Sequence, residues 1–134
     1  MDKLQSYSPV IGRILLTLIF FMSGLHKITD WESSAGYMAS KGMPAVSFFL
    51  GMAIILEIGG GLSVLLGYKA RLGALALIIF VIPATFLFHN FWAMPAEQQQ
   101  IQMILFMKNL AMIGGLLFVV AFGAGQISLD NRKK

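Results

Sequence analysis

Four long apolar stretches, separated by short polar segments, dominate this sequence. They cover approximately residues 9–28, 45–66, 72–89 and 101–122. Each comes close to the roughly 20 residues that a helix needs to cross a hydrocarbon layer about 30 Å thick. The pattern therefore predicts an all-α integral membrane protein, a four-helix bundle that forms a single domain over residues 1–134.

The composition agrees with a membrane protein and excludes several other classes. Hydrophobic residues make up 57% of the chain and charged residues 12%, with a mean hydropathy of +0.78. A soluble domain usually carries about 25% charged residues. The net charge of +4 comes from basic residues scattered at the ends of the apolar stretches, which argues against nucleic acid as a partner. Because cysteine is absent, disulfides, cysteine-ligated zinc and iron–sulfur clusters are excluded for this chain.

Lysine and arginine are unevenly divided between the connections. Cytoplasmic loops of membrane proteins carry an excess of these residues. The first and third connections hold only Lys27 and Lys41, whereas seven basic residues lie in the N-terminal region, the second connection and the C-terminal region. These seven are Lys3, Arg13, Lys69, Arg71, Arg132, Lys133 and Lys134. We therefore expect both termini in the cytoplasm.

The first connection, DWESSAGYMASKGMP at residues 30–44, is longer than a tight turn between helices requires. Tyr37, Met38 and Lys41 have the spacing of neighbours on one helix face, which predicts a short interfacial helix before the Gly-Met-Pro break. Such a helix could connect the first two spans or form a lid over the outer mouth of the bundle. The absence of a distinctive polar cluster favours a connector.

Glu57 lies near the middle of the second apolar stretch. It is about twelve residues from the outer end, or roughly 18 Å down, which is too deep for its side chain to reach water. A charged group at the centre of a membrane helix costs about 2.5–3.5 kcal/mol, so an intramembrane carboxylate indicates a functional site or a buried pair. The reach of two extended side chains favours Lys108 as its partner, with Arg13 as the alternative.

Lys108 and Arg13 lie closer to the two membrane surfaces than Glu57 does. Lys108 is about seven residues, or roughly 10 Å, inside the fourth stretch. We therefore expect it to face the bundle, either paired or uncharged. Arg13 is only roughly 6 Å inside the first stretch, from where an arginine can extend to the inner phosphates or turn inward. A pair that only fixes helix register is the alternative to a functional one.

Histidine and asparagine add further polar groups within or beside the spans. His26 lies near the end of the first stretch, His89 ends the third, and Asn109 follows Lys108. Haem ligation by the two histidines is disfavoured because both lie close to the interface, where a histidine is usually solvated. Imidazole titrates near neutral pH, so these histidines are better suited to carry protons for a quinone head group. The sequence indicates no metal site.

Small residues recur every four positions in two of the stretches. Gly59, Ser63 and Gly67 have this spacing, as do Ala111 and Gly115. Small residues at this spacing allow two membrane helices to approach closely. We interpret them as packing surfaces rather than as parts of a site.

Several segments together resemble the DoxX family of small four-helix membrane proteins. They are GRILLTLIFFMSGLHKI at 12–28, GMP at 42–44, LEIGGGLSVLLGYKAR at 56–71, FLFHNFW at 86–92 and KNLAMIGGLLFVVAFGAGQISLD at 108–130. The most specific parts are the glutamate before the glycine cluster, the lysine that opens the last segment and the closing GAGQISLD. The resemblance implies a multi-pass protein of the bacterial inner membrane that works near the quinone pool.

Two hypotheses about function follow from the resemblance and the polar residues together. The first is an oxidoreductase, or a subunit of one, that binds a quinone and receives electrons from a redox partner protein, since no GxGxxG motif is present to hold a cofactor. Its candidate residues are Glu57, Lys108 and His89 for catalysis and His26, Arg13 and Asn109 for ligand binding. The second hypothesis is a non-enzymatic scaffold, assembly factor or small-solute permeability component. Both leave room for a homo-oligomer in the lipid bilayer.

Overall fold

A computed structural model describes residues 2–132 of the chain, and its regular structure there is entirely helical. The helices are α1 Lys3–Thr29, α2 Trp31–Ser40, α3 Val46–Leu66, α4 Ala70–Phe88 and α5 Ala96–Phe122, with a 3-10 turn at Phe91–Ala93. All of the α-helices except α2 are long and apolar enough to cross a membrane. The predicted all-α fold with four spans is thus confirmed. Lys133 and Lys134, part of the predicted charge asymmetry, lie outside the described residues.

The spanning helices pack in chain order. α3 packs against both α1 and α4, and α4 packs in addition against α5. The start of α1 and the segment after α5 meet at one end, where the Ser6 hydroxyl donates to the side-chain oxygen of Gln126 at 3.0 Å. We call this the inner end of the bundle and the opposite one the outer end. Placement of the inner end in the cytoplasm remains a prediction.

α1 and α5 have very little contact with each other, so one side of the bundle is almost open. We call the surface between these two helices the α1/α5 groove. Its inner half forms a cavity of about 440 Å³, with Gly12, Arg13 and Leu16 on one wall and Phe118 and Val119 on the other. The predicted number of spanning helices is therefore correct, but the contact between α1 and α5 that would close the bundle is largely missing.

α1 and α5 each begin several residues earlier than the apolar pattern predicts. α1 starts at Lys3, because Asp2 caps it by accepting a hydrogen bond from the backbone N–H of Leu4 at 3.4 Å, and Pro9 lies inside the helix. α5 starts at Ala96 and continues through EQQQ, whose residues are good helix formers. Hydropathy marks the part of a helix that lies in lipid, so it misses polar turns beyond the membrane.

The predicted short helix of the first connection is present as α2. Met38 is buried, and the Tyr37 hydroxyl donates to the backbone carbonyl of Phe88 at 3.3 Å. The rings of Tyr37 and Phe88 also pack with their centroids 5.6 Å apart. α2 therefore connects α1 to α3 and in addition rests on the outer end of α4.

Glycine allows α3 and α4 to approach closely. A Cβ added to Gly60 would lie 2.8 Å from Cγ of Leu77, and one added to Gly73 would lie 2.5 Å from Cβ of Ser63. Ser63 was correctly predicted as part of a packing surface. The prediction was wrong for Gly59, since a Cβ at that position would have no neighbouring atom within 4 Å. The close contact with α4 is made by Gly60, which lies about 100° further around the helix.

The segment after α5, residues 123–132, folds back onto the inner ends of α3 and α4. The backbone N–H of Asp130 donates to the carbonyl of Gly67 at 2.7 Å. The Asp130 carboxylate accepts hydrogen bonds from the backbone N–H groups of Lys69 at 2.6 Å and Ala70 at 2.9 Å. The first amides of a helix have no partner within it, so Asp130 acts as a cap for α4 from a distant part of the chain.

Candidate functional site

A buried ion pair joins α1 to α3 within the spanning part of the bundle. Nζ of Lys27 lies 2.6 Å from Oε1 of Glu57, whose side chain is 1% exposed, whereas that of Lys27 is 23% exposed. The Lys27 ammonium also donates to the hydroxyl of Ser23 at 2.6 Å. We call Ser23, Lys27 and Glu57 the ion-pair cluster. It contains one cation, one carboxylate and one hydroxyl.

The backbone directs the two charged side chains towards each other. A Cβ added to Gly24 would lie 2.7 Å from Ile58, so α1 and α3 approach closely at this level. The two helices run in opposite directions, and each Cα–Cβ bond tilts towards the N-terminus of its own helix. Lys27 therefore leans towards the middle of the bundle and Glu57 leans towards the outer end, where the two charges meet.

The predicted partner of Glu57 was wrong. We expected Lys108 or, as the alternative, Arg13, whereas the structure places Lys27 there. Lys27 falls in the last turn of the predicted first stretch, but it was counted with the first connection as a topology signal; in the structure it belongs to α1, which ends at Thr29. A signal was present in the sequence, because Lys27 lies four residues after a serine and three after a glycine, on one helix face.

Glu57 has fewer hydrogen-bond donors than a buried carboxylate can use. Its Oε1 atom is shielded from solvent and accepts no hydrogen bond of good geometry from any residue in 2–132, although Lys27 is within ion-pair distance. A carboxylate offers about four acceptor sites, and a buried polar group with unmade bonds costs about 1–3 kcal/mol. Glu57 therefore retains acceptor capacity for a proton or a hydroxyl-bearing ligand.

Arg13 is buried at the inner end, far along α1 from the ion-pair cluster. Its guanidinium donates to the backbone carbonyls of Val64 at 3.4 Å and Leu65 at 3.0 Å, both at the end of α3, and to that of Ile127 at 2.5 Å. The last carbonyls of a helix lack partners within it. Of the two predicted orientations of Arg13 the inward one is observed, and its contacts are those of a helix cap.

Lys108 does not face the bundle interior, contrary to the prediction. It is exposed on α5 and has neither an ion pair nor a hydrogen bond with any residue that the structure describes. The buried face of α5 instead contains Asn109, Leu116 and Val119. Distance along a helix gives the depth of a residue and leaves its direction around the axis undetermined, so the depth of Lys108 does not show which way its side chain points.

Asn109 and His89 both link α4 to α5. The amide of Asn109 donates to the hydroxyl of Thr85 at 3.0 Å, and that hydroxyl donates in turn to the carbonyl of Val81 at 2.6 Å. Nδ1 of His89 lies 2.8 Å from the side-chain oxygen of Gln102, to which it donates when protonated. Two of the predicted site residues are thus held by neighbouring helices near the outer half of α5.

His26 is separate from these groups. Its side chain is 68% exposed, and Nε2 lies 3.9 Å from the carboxylate of Asp30, one turn further along the chain. The described part of the chain contains no group of three or more histidine, aspartate or glutamate side chains arranged to hold a metal ion. The structure therefore brings Glu57 together with Lys27, which was not among the predicted partners, and it leaves His26 at the surface.

Comparisons with known proteins give a consistent result. A DoxX family profile matches residues 8–90. Inner membrane protein YqjF of Escherichia coli strain K12 is 36% identical over 131 residues, which cover 98% of this chain and 95% of that protein. Inner membrane protein YphA of the same strain is 31% identical over 123 residues, covering 92% of this chain and 88% of that protein.

A more distant relative is the Surfeit locus protein 4 homolog of Schizosaccharomyces pombe, 28% identical over 132 residues, which cover 97% of this chain and 39% of that protein. No solved structure matches the chain significantly. The two bacterial relatives and the four apolar spans confirm the predicted location, a multi-pass protein of the inner membrane. Ser23, Lys27 and Glu57 all lie within the matched residues, and the chain belongs to the DoxX family.

Proposed function

We propose that this protein is a quinone-linked membrane oxidoreductase, or the quinone-binding subunit of one, and that the α1/α5 groove receives the quinone head group. The observation that carries the proposal is Lys108, a cation without a partner among residues 2–132, near the middle of a spanning helix. An ammonium in such a position costs about 2.5–3.5 kcal/mol. A ligand with electron-rich oxygens would offset that cost.

Helix geometry places Lys108 and Ser23, the hydroxyl of the ion-pair cluster, at the same height on the two walls of the groove. Leu16 and Gly115 mark the contact between α1 and α5, since a Cβ added to Gly115 would lie 3.3 Å from a methyl carbon of Leu16. The helices are antiparallel, so seven residues outward from this contact lead to Ser23 on α1 and to Lys108 on α5. Seven residues are close to two turns, and both positions therefore keep the direction of the contact. Ser23 in turn holds the Lys27 ammonium.

The charges at this level leave a positive excess. Lys27 and Lys108 are two cations, and Glu57 is one carboxylate. The oxygens of a quinone gain negative charge as electrons arrive, and ammonium donors placed beforehand stabilise that charge. Reduction to the quinol takes up two electrons and two protons. In this proposal Lys108 donates a hydrogen bond to one oxygen, and a redox partner protein supplies the two electrons. The Lys27–Glu57 pair passes both protons, one after the other, and takes each replacement proton from water.

Quinone binding by the purified protein in lipid nanodiscs tests the proposal. A short-chain ubiquinone is titrated while tryptophan fluorescence is followed. Lys108→Gln should weaken binding by about tenfold or more, because a hydrogen bond from a charged group contributes about 1.5–3 kcal/mol. Lys41→Gln, at an exposed lysine of the first connection, is the matched control and should bind like the wild type. Equal affinities of Lys108→Gln and the wild type would refute the proposed site.

A non-enzymatic scaffold or assembly factor is the second candidate. α5 is the least buried of the four spans and exposes large apolar side chains along its length, as expected of a helix that packs against another membrane protein. None of the relatives described above has a name that refers to a redox activity. In this case Lys108 would meet a carboxylate of the partner helix. Purification in native lipid distinguishes the two candidates, since the first predicts bound quinone and the second a bound protein without quinone.

A further inference from the structure

A second cavity lies at the inner end, between the start of α4 and the end of α5. Its volume is about 600 Å³, and its walls include Lys69, Arg71, Leu72, Phe122 and Asp130. It borders the same end of α5 as the α1/α5 groove does, but it faces α4 instead of α1. The proposed quinone head group lies in the outer half of that groove, so this cavity is a separate feature.

The basic side chains of this cavity lack an acidic partner. Arg71 is exposed and forms no ion pair or hydrogen bond within residues 2–132. The Lys69 ammonium lies over the Tyr68 ring, 5.7 Å from its centroid. Asp130 also lines the cavity, but its two oxygens already accept the backbone N–H groups of Lys69 and Ala70. The three charged side chains leave one net positive charge.

The same cavity has apolar walls where the two spanning helices end. Leu72 and Phe122 are both largely exposed there. Gly123, with a φ of +77°, turns the chain away from α5, and a Cβ at that position would lie 3.4 Å from Nε of Arg71. A guanidinium is thus placed next to exposed apolar side chains at the level where hydrocarbon gives way to lipid head groups.

We propose that this cavity binds an anionic phospholipid, with the phosphate against Arg71 and Lys69 and the acyl chains along Leu72 and Phe122. The fork of N–H donors on a guanidinium matches two phosphate oxygens. Basic pockets between spanning helices on the cytoplasmic side are suited to such head groups, and the inner end is the end predicted to face the cytoplasm. One net positive charge complements one phosphodiester. The site does not depend on the proposed quinone function.

Native mass spectrometry of the purified full chain tests this site. The protein is titrated with phosphatidylglycerol or with phosphatidylcholine, and the lipid-bound fraction is measured. The wild type should bind phosphatidylglycerol at least about tenfold more tightly, and Lys69→Gln/Arg71→Gln should lose this preference. Lys41→Gln removes one basic side chain from the outer connection and should keep it. Equal binding of the two lipids by the wild type, or an unchanged preference in the double variant, would overturn the proposal.

Free phosphate offers the same chemistry as the head group, so a further arm adds inorganic phosphate at a large excess. The lipid should remain bound, because the apolar walls hold its chains. Displacement by phosphate would show a phosphate site instead and would also overturn the proposal. Both substituted side chains are exposed, and thermal unfolding checks that the variant folds. Arg71→Glu alone decides the question in the same way if the double variant does not fold, since it should also lose the preference.

Discussion

Gly67 and Arg13 occupy one small space at the inner end of the bundle. A Cβ added to Gly67 would lie 2.5 Å from Nη1 of Arg13 and would also touch Ser128, and the φ of Gly67 is +67°. Both the backbone conformation and the available space therefore require glycine. The end of α3, the start of α1 and the segment after α5 are held together at this point by the Arg13 guanidinium.

Gly67→Ala should destabilise the protein by at least about 1 kcal/mol, because a left-handed backbone disfavours alanine and the added methyl displaces the guanidinium. Gly59→Ala is the matched control. It lies inside α3 with open space around it, so alanine should leave stability unchanged or raise it by about 0.5–1 kcal/mol. Thermal unfolding in detergent measures both variants. Similar melting temperatures for the two would contradict the expected crowding at position 67.

Lys27→Met should lower stability by about 3–5 kcal/mol, because it leaves the Glu57 carboxylate buried without its cation. Lys27→Met/Glu57→Gln removes both charges and should recover most of this loss. Lys41→Met controls for the loss of a lysine in general. Unfolding by denaturant gives the free energies of the wild type and the three variants, and equal values for Lys27→Met and the double variant would contradict the expected recovery.

Within the proposed quinone-linked function, the same double variant also separates a pair that passes protons from a pair that is only structural. If the pair passes protons, the variant should fold but lose quinone reduction. A structural pair predicts a variant that is both stable and active. The comparison needs no other substitution in the groove.

Asp130→Ala should speed hydrogen exchange at the start of α4, where the amides of Lys69 and Ala70 lose their acceptors. Removing a charged acceptor from two amides is expected to cost about 1.5–3 kcal/mol. Asp2→Ala is the control, because Asp2 caps the exposed start of α1 through a longer bond of 3.4 Å. Its effect should stay confined to α1. Unchanged exchange at residues 69 and 70 in Asp130→Ala would contradict the proposed cap.

The predicted orientation is testable because the chain contains no cysteine. Single cysteines at Gln5 and Glu32 place one thiol before the first span and one in the first connection. A membrane-impermeant maleimide added to intact cells should label only the Glu32→Cys variant, and both variants should react after the cells are permeabilised. Labelling of Gln5→Cys in intact cells would reverse the orientation inferred from the basic residues.

The spans themselves could be predicted from the sequence because the bilayer imposes a length and a polarity on each helix. α3 and α4 begin and end within about two residues of the expected positions, since turn residues bound them closely. α1 and α5 begin well before the expected positions, because their first turns contain polar residues. Hydropathy does not register such turns.

The partners of the buried charges could not be predicted in the same way. The choice between Lys27, Lys108 and Arg13 for Glu57 depends on how each helix is rotated about its axis. Packing decides that rotation: Gly24 against Ile58 sets α1 against α3, whereas Lys108 is turned away from the core beside the buried Asn109. Each of these helices carries apolar side chains on all of its faces. The hydrophobic periodicity that shows the buried face of a helix in a soluble protein is therefore weak here.

The cap that Asp130 gives to α4 has a consequence for the time course of synthesis. The chain reaches Ala70 sixty residues before it reaches Asp130. During that interval α4 can enter the membrane, but its first amides must be satisfied by water or by lipid head groups. Only after α5 has been inserted can the carboxylate replace them. The start of α4 should therefore be the last part of the spanning bundle to become ordered in the nascent chain. Any insertion machinery that releases the chain earlier would release it before Asp130 has capped α4.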